Sequence, residues 1–160
     1  MKILFVCTHN RCRSILGEAI TRQMVDGLVD NQIEVRSAGS QPAGQVHPET
    51  IRHLQLRQIN SDGLSSQSWD ELESFDPDVV ITVCDNAANE TCPVWMGQAM
   101  KVHWGLPDPS KILDEKARQE AFFNVMDVLT KRMQVIIDAE FDSMSHTEKQ
   151  QLFKRAGELM

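Results

Sequence analysis

Short apolar runs of strand length alternate along this chain with longer segments of helical periodicity. Strands separated in this way by helices pair in parallel, through right-handed crossovers that place helices on both faces of the sheet. The sequence therefore predicts an α/β fold, a single-domain three-layer sandwich around a parallel sheet. The predicted strands cover residues 3–6, 33–37, 79–83 and 100–104.

Helices are predicted where apolar residues recur at spacings of three and four. The first begins at Ser14, the second at Pro48 and a short third covers residues 69–73. A long helix covers 114 to about 137, and a last one begins at Ser145 and is expected to attach loosely. The side chains expected to face the core are Leu16, Ala19, Ile20, Met24, Leu28, Ile51, Leu54, Leu56, Ala117, Ala121, Val125, Leu129 and Met133.

Size and charge restrict the classes of function. A chain of 160 residues accommodates one core rather than two. The formal net charge of −7 argues against a general binder of nucleic acids or acidic membranes, because those partners require a basic surface. No apolar run approaches the roughly 20 residues of a membrane span. We expect a cytoplasmic protein, in which the 4 cysteines serve catalysis, redox chemistry or metal binding.

The loop between the first strand and the first helix has the pattern C-x5-R-S, from Cys7 to Ser14. Such a loop aims backbone N–H groups and the positive end of the helix dipole at one centre, which suits a tetrahedral oxyanion. Arg13 adds a planar fork that binds two oxygens. The same field should lower the pKa of the Cys7 thiol, and Ser14 is positioned to donate to its sulfur. The alternative is an ordinary strand end followed by an exposed arginine.

This loop resembles that of the low-molecular-weight tyrosine phosphatases, as do the segments VRSAGS (35–40) and HWGLPDP (103–109). The resemblance implies a four-stranded sheet in the order 2-1-3-4, with residues 1–140 as the catalytic domain and 141–160 as a C-terminal helical extension. It also implies Cys7 as nucleophile and Asp108 as general acid. His9 stands where this family usually has glycine, so a positive φ with some strain is expected there. The residues assigned to oxyanion binding are Thr8, His9, Asn10, Arg11, Cys12, Arg13 and Ser14.

Cys84 and Cys92 follow the third predicted strand and are similar to the redox pair of the arsenate reductases in the same superfamily. The chain also has no tyrosine, whereas tyrosine phosphatases carry aromatic residues after the Asp-Pro pair. The resemblance implies that Cys7 attacks arsenate and that Cys84 then forms a disulfide with Cys7. It further implies that Cys92 attacks Cys84, which frees Cys7 and leaves a Cys84–Cys92 disulfide. Thioredoxin is the implied reductant, with glutathione and glutaredoxin as the alternative. Cys12 is interpreted as a bystander or as a protective disulfide partner of Cys7.

Three further hypotheses remain open at this point. A phosphatase acting on phosphotyrosine would use the same Cys7 chemistry, with water in place of Cys84. A zinc-binding interaction module would use all four cysteines as ligands, although structural zinc sites usually contain closer pairs. Related reductases bind potassium near the loop, and Asn10, Glu18 and Ser37 are the candidate ligands here. The alternative for Glu18 is an ordinary glutamate on a helix face.

Overall fold

A computed structural model describes all residues of the chain, 1–160. Four parallel strands form one sheet in the order β2-β1-β3-β4, which confirms the predicted topology. The strands are β1 (Lys2–Val6), β2 (Glu34–Ala38), β3 (Val79–Thr82) and β4 (Met100–His103). The helices are α1 (Arg13–Asp26), α2 (Pro48–Leu56), α3 (Asp85–Asn89), α4 (Glu115–Asp138) and α5 (His146–Ala156), and 3-10 turns cover Trp69–Phe75, Val94–Met96, Pro109–Lys111 and Phe141–Ser143.

The central strands are buried on both faces. Ile3, Leu4 and Phe5 are fully buried although successive side chains of a strand point to opposite sides, so layers cover the sheet above and below. The edge strand β4 instead alternates between buried and more exposed residues. In the register of β1 and β3, Val6 lies beside Thr82. The residues that follow these two strands, Cys7 and Cys84, are therefore brought together at one edge of the sheet.

Several helix faces differ from the prediction. Helix α1 ends at Asp26, so Leu28 falls beyond it and is exposed, and Leu56 at the end of α2 is also exposed. Ala117 is exposed and Ala121 only partly buried, because the first turns of α4 extend past the sheet. The buried face of α4 consists of Phe122, Val125, Met126, Leu129, Arg132, Met133 and Ile136.

The expectation of a loosely attached C-terminal helix is wrong. Phe153 on α5 is fully buried, and its carbonyl accepts a 2.9 Å hydrogen bond from Nε1 of Trp104, which follows β4. At Gly157, an added Cβ would lie 2.6 Å from the Trp104 ring, so the chain passes too close for a side chain. Residues 141–160 thus contribute to the core, while the domain boundary at residue 140 stays a prediction. No helix has the length and apolar character needed to cross a membrane.

Candidate active site

The loop after β1 surrounds a small cavity of about 80 Å³. The backbone N–H groups of residues 9–12 have no acceptor within the protein, as a loop that binds an oxyanion requires. Helix α1 starts immediately afterwards at Arg13, so its positive end points toward the same loop. The residues around the cavity are Cys7, Thr8, His9, Arg11, Cys12 and Arg13 from the loop, and Cys84, Asn86, Asp108 and Lys111 from other segments.

The segment after β2 supports the back of this loop. The N–H groups of Gln41 and His47 donate to the carbonyls of Thr8 and Arg11, at 2.9 and 3.0 Å. Gly39 lies so close that an added Cβ would be 2.5 Å from the Thr8 carbonyl oxygen. The glycine of the VRSAGS segment is therefore needed for a close approach of two backbones.

The positive φ of the loop lies at Asn10 (44°) and not at His9, so the strain expected at His9 is absent. Asparagine tolerates this left-handed region better than most residues. Its side chain is fully buried behind the loop, where Oδ1 accepts from the N–H of Gln67 at 2.8 Å. Asn10 and Ser14, which we assigned to oxyanion binding, do not line the cavity and instead brace the loop from behind.

Ser14 lies directly behind the Cys7 sulfur, with 3.1 Å between its Oγ and Sγ of Cys7. Asn10 Nδ2 donates to the same hydroxyl at 2.8 Å. Because the Ser14 oxygen accepts this hydrogen bond from Asn10, the Ser14 hydroxyl hydrogen remains free to point at the Cys7 sulfur. The predicted hydrogen bond from Ser14 to Cys7 is thus present.

Cys7 and Cys84 both line the cavity, and each thiol affects the pKa of the other. The Cys84 thiol, together with burial, raises the pKa of Cys7 well above its ordinary value. The Cys7 thiol, with help from the Thr8 backbone N–H at 3.4 Å, lowers the pKa of Cys84 to about 5. The expectation of a low pKa at Cys7 is therefore wrong for this arrangement. Negative charge is thus favoured on Cys84, which the Thr8 N–H faces.

Arg13 and Asp108 meet at one side of the cavity. Nη2 of Arg13 lies 3.6 Å from Oδ2 of Asp108, and Nη1 donates to the carbonyl of Leu106 at 3.0 Å. Burial acts to raise the pKa of Asp108, but hydrogen bonds from Ser110 and the charge of Arg13 outweigh it and hold that pKa below the usual value. Asp108 is consequently ionised at neutral pH in the absence of an oxyanion.

Cys92 is half-buried and separated from the other thiols by the short helix α3. It borders a groove formed with Ala87, Ala88 and Val102. Helix α3 is attached to the loop by the Thr8 hydroxyl, which donates to Oε1 of Glu90 at 2.7 Å. The structure thus brings Cys7 and Cys84 together and leaves Cys92 apart.

Sequence reasoning missed three residues around α3 and the cavity. Nδ1 of His103 lies 2.8 Å from the Thr82 hydroxyl, and its Nε2 lies 3.0 Å from Asp85 Oδ1, at the start of α3. Glu90 and Lys111 were given no role beside the loop. No local pattern singles these residues out, because each contact joins segments distant in the chain.

The four cysteines do not converge on one point. Cys12 is buried, and burial raises its pKa to about 12. Cys92 lies beyond α3, and no three His, Cys, Asp or Glu side chains are grouped as metal ligands. This geometry contradicts the alternative of a zinc module with four thiolate ligands.

The candidate potassium ligands do not fit that ion. Asn10 turns its amide nitrogen, a donor, toward Ser37 at 3.1 Å, and its oxygen is engaged by a backbone N–H. Oε1 of Glu18 accepts from the Ser37 hydroxyl at 2.6 Å, while its other oxygen lies 3.8 Å from Nη1 of Arg22. An arginine therefore already supplies positive charge to Glu18, the one anionic member of this set.

Comparison with known proteins agrees with this geometry. An arsenate reductase from Bacillus subtilis is 30% identical over 135 residues, which cover 82% of this chain and 91% of that protein. A glutaredoxin arsenate reductase from Synechocystis is 32% identical over 108 residues, or 68% of this chain and 78% of that protein.

Among solved structures, an arsenate reductase in the phosphate binding state superimposes with a TM-score of 0.68 at 28% identity, covering 85% of this chain and 95% of that one. A thioredoxin-dependent arsenate reductase from Corynebacterium glutamicum gives a TM-score of 0.63 at 25% identity, covering 85% of this chain and 61% of that one. The family model for low molecular weight phosphotyrosine protein phosphatases matches residues 2–149. Because that match spans the sheet, the loop and α4, the chain belongs to this family.

Proposed function

We propose that this protein is an arsenate reductase that works through a relay from Cys7 to Cys84 to Cys92. The observation that carries the proposal is that the Cys7 and Cys84 thiols line the same small cavity, which is suited to an oxyanion. A phosphatase releases its product with water and has no use for a second thiol in this position. The arsenate reductases among the relatives support the same function.

The first step joins the Cys7 sulfur to arsenic. When the Cys7 thiol and H₂AsO₄⁻ condense, an arsenic–sulfur bond forms, an arsenic–oxygen bond breaks, and the thiol proton leaves with that oxygen as water. Arg13 and the free loop N–H groups neutralise the oxyanion. Cys84 remains a thiolate throughout, because the proton that is released comes from Cys7.

The second step reduces arsenic. The Cys84 thiolate attacks the Cys7 sulfur, the sulfur–arsenic bond breaks, and its electron pair passes to arsenic, which leaves as arsenite after protonation. Both thiols line the same small cavity, so this disulfide requires only a local movement. The charge that the hydrogen bonds stabilise on Cys84 makes it the attacking group at neutral pH.

The third step transfers the disulfide outward from Cys7 to Cys92. Cys92 attacks Cys84, the Cys7–Cys84 bond breaks, and Cys7 leaves and takes up the proton that Cys92 has lost. The new disulfide requires the Cα atoms of Cys84 and Cys92 to lie within roughly 7 Å. Helix α3 must rearrange, and its length of 5 residues and its lack of a side-chain cap at Cys84 make it easy to unwind. An external dithiol then reduces Cys84–Cys92. We propose thioredoxin, with glutaredoxin as the alternative, in a cytoplasmic setting that keeps thiols reduced.

The decisive experiment is an assay of the purified protein with arsenate and NADPH. One arm contains thioredoxin and its reductase, and the other contains glutathione, glutaredoxin and glutathione reductase. We expect NADPH oxidation that depends on arsenate in the thioredoxin arm, with one arsenite formed per NADPH. Hydrolysis of p-nitrophenyl phosphate without arsenate reduction in either arm would favour the phosphatase alternative and refute the proposal.

Replacement of Asp108 with asparagine tests the role of that residue as general acid. Because the pKa of Asp108 is low in the free site, the charge of a bound oxyanion must raise it before the carboxyl group can donate. Because Asp108 passes the Cys7 proton on to the departing oxygen, single-turnover arsenite formation by Asp108→Asn should fall about 10²-fold. The wild-type rate should decline as pH rises through the pKa of Asp108 in the complex, and the variant should lack this decline. Equal rates in both proteins would mean that arsenate supplies its own proton.

A further inference from the structure

A continuous series of polar contacts runs from the protein surface to the sulfur of Cys7. Beyond the Ser14–Asn10 contact behind Cys7, Asn10 Nδ2 lies 3.1 Å from Ser37 Oγ. The Ser37 hydroxyl reaches Glu18 at 2.6 Å, and Glu18 lies 3.8 Å from Arg22. The mechanism proposed above uses only the inner end of this series.

The directions of these hydrogen bonds follow from groups that can only donate or can only accept. The N–H of Gln67 must donate, so it holds the Asn10 oxygen and turns the Asn10 NH₂ group toward both serines. Each serine oxygen therefore accepts from Asn10 and donates its own hydrogen elsewhere. Ser37 donates to Glu18, which as a carboxylate can only accept, and Ser14 donates to Cys7.

Glu18 requires a compensating cation because its side chain is only 6% exposed. Arg22 provides it from one turn further along α1. The guanidinium of Arg22 is itself held by the carbonyls of Asp62 and Asn60, at 2.9 and 3.4 Å, so its position is defined. The only other cation whose charge acts on Glu18 is Arg36 on β2, which makes no ion pair with it within 4.0 Å.

We propose that Arg22 is a positioning residue for the nucleophile: it keeps Glu18 ionised and thereby fixes Ser37, Asn10 and the Ser14 hydroxyl behind Cys7, in place of a bound potassium ion. The proposal rests on the function of Cys7 given above. Its consequence is that catalysis by this protein does not depend on potassium, because the positive charge belongs to the chain.

The test compares Arg22→Gln and Arg22→Lys with the matched control Arg36→Gln, each in potassium chloride and in choline chloride at equal ionic strength. We expect the wild type to behave identically in the two salts. Arg22→Gln should lose about 10-fold in kcat with little change in KM, because the residues lining the cavity are retained. Arg22→Lys should restore most of this loss in either salt, and potassium should not, because Asn10 still turns its NH₂ group toward Ser37. Arg36→Gln should resemble the wild type.

The pH profile separates positioning from a general loss of structure. Burial raises the pKa of Glu18, and Arg22 opposes this. Without Arg22 the pKa of Glu18 should rise further, so Glu18 should ionise only at higher pH and the activity of Arg22→Gln should increase with pH relative to the wild type. In a parallel measurement without arsenate, the rate of Cys7 alkylation by iodoacetamide is followed by mass spectrometry. This rate in Arg22→Gln, relative to the wild type, should change with pH in the same way as the activity.

Two results would overturn the proposal: a requirement for potassium in the wild type, or equal effects of Arg22→Gln and Arg36→Gln on kcat and on Cys7 alkylation. The alkylation measurement needs no arsenate. A wild-type protein that fails to reduce arsenate would therefore refute the function, while the alkylation rates would still decide the role of Arg22.

Discussion

Replacement of Cys84 with serine should abolish multiple-turnover arsenate reduction, with a fall of at least about 10³-fold. The first arsenic–sulfur bond can still form, but no thiolate is present to attack Cys7 and release arsenite. The Cys84 thiol is also the main cause that raises the pKa of Cys7. In Cys84→Ser the pKa of Cys7 should therefore fall, and Cys7 alkylation should begin at lower pH than in the wild type.

Cys92→Ser is the matched comparison for this variant. It retains the Cys7–Cys84 pair and should produce one arsenite per protein before stopping with that disulfide in place. Hydrolysis of p-nitrophenyl phosphate should persist in Cys84→Ser, because its second step uses water. Sustained arsenate turnover by Cys84→Ser would exclude the relay, whatever the effect of the substitution on Cys7 alkylation.

Arg13→Lys should lower kcat/KM for arsenate by about 10²- to 10³-fold. Lysine keeps the positive charge but loses the planar pair of donors that matches two oxygens of an oxyanion. It also loses the geometry by which Arg13 reaches both Asp108 and the Leu106 carbonyl. The effect should be measured by steady-state arsenite formation and by competition with inorganic phosphate.

Arg155→Lys serves as the control for this substitution, because Arg155 is exposed on α5 and makes no ion pair. Thermal unfolding of both variants should match the wild type within a few degrees. If Arg13→Lys reduced arsenate as fast as the Arg155 variant, the bidentate contact would not be part of the mechanism.

The parts of the site that lie close together in the chain were predictable. The pattern from Cys7 to Ser14, between an apolar strand and a periodic helix, located the cavity correctly. The meeting of Cys7 and Cys84 also followed once the strand order implied by the family resemblance placed β3 beside β1. Both features depend on backbone topology, which hydrophobic periodicity reports well.

The remaining features depend on side-chain contacts between distant segments. The low pKa of Cys84 arises because two thiols that are 77 positions apart line the same cavity. Thr8 and Glu90 meet across 82 positions. The burial of Phe153 against Trp104 likewise needs the packed structure, since the periodicity of α5 shows an apolar face but not what covers it.

The contact of Thr8 with Glu90 makes oxyanion affinity sensitive to the redox state of the protein. Thr8 belongs to the loop and also holds α3 in the geometry where Cys84 faces Cys7. Once Cys84 has formed a disulfide with Cys92, Thr8 loses its contacts with Cys84 and Glu90. The loop is then less well supported. By thermodynamic reciprocity, an anion that favours the intact loop must also favour the dithiol form. Phosphate should accordingly bind more weakly to the oxidised protein and make its disulfide easier to reduce.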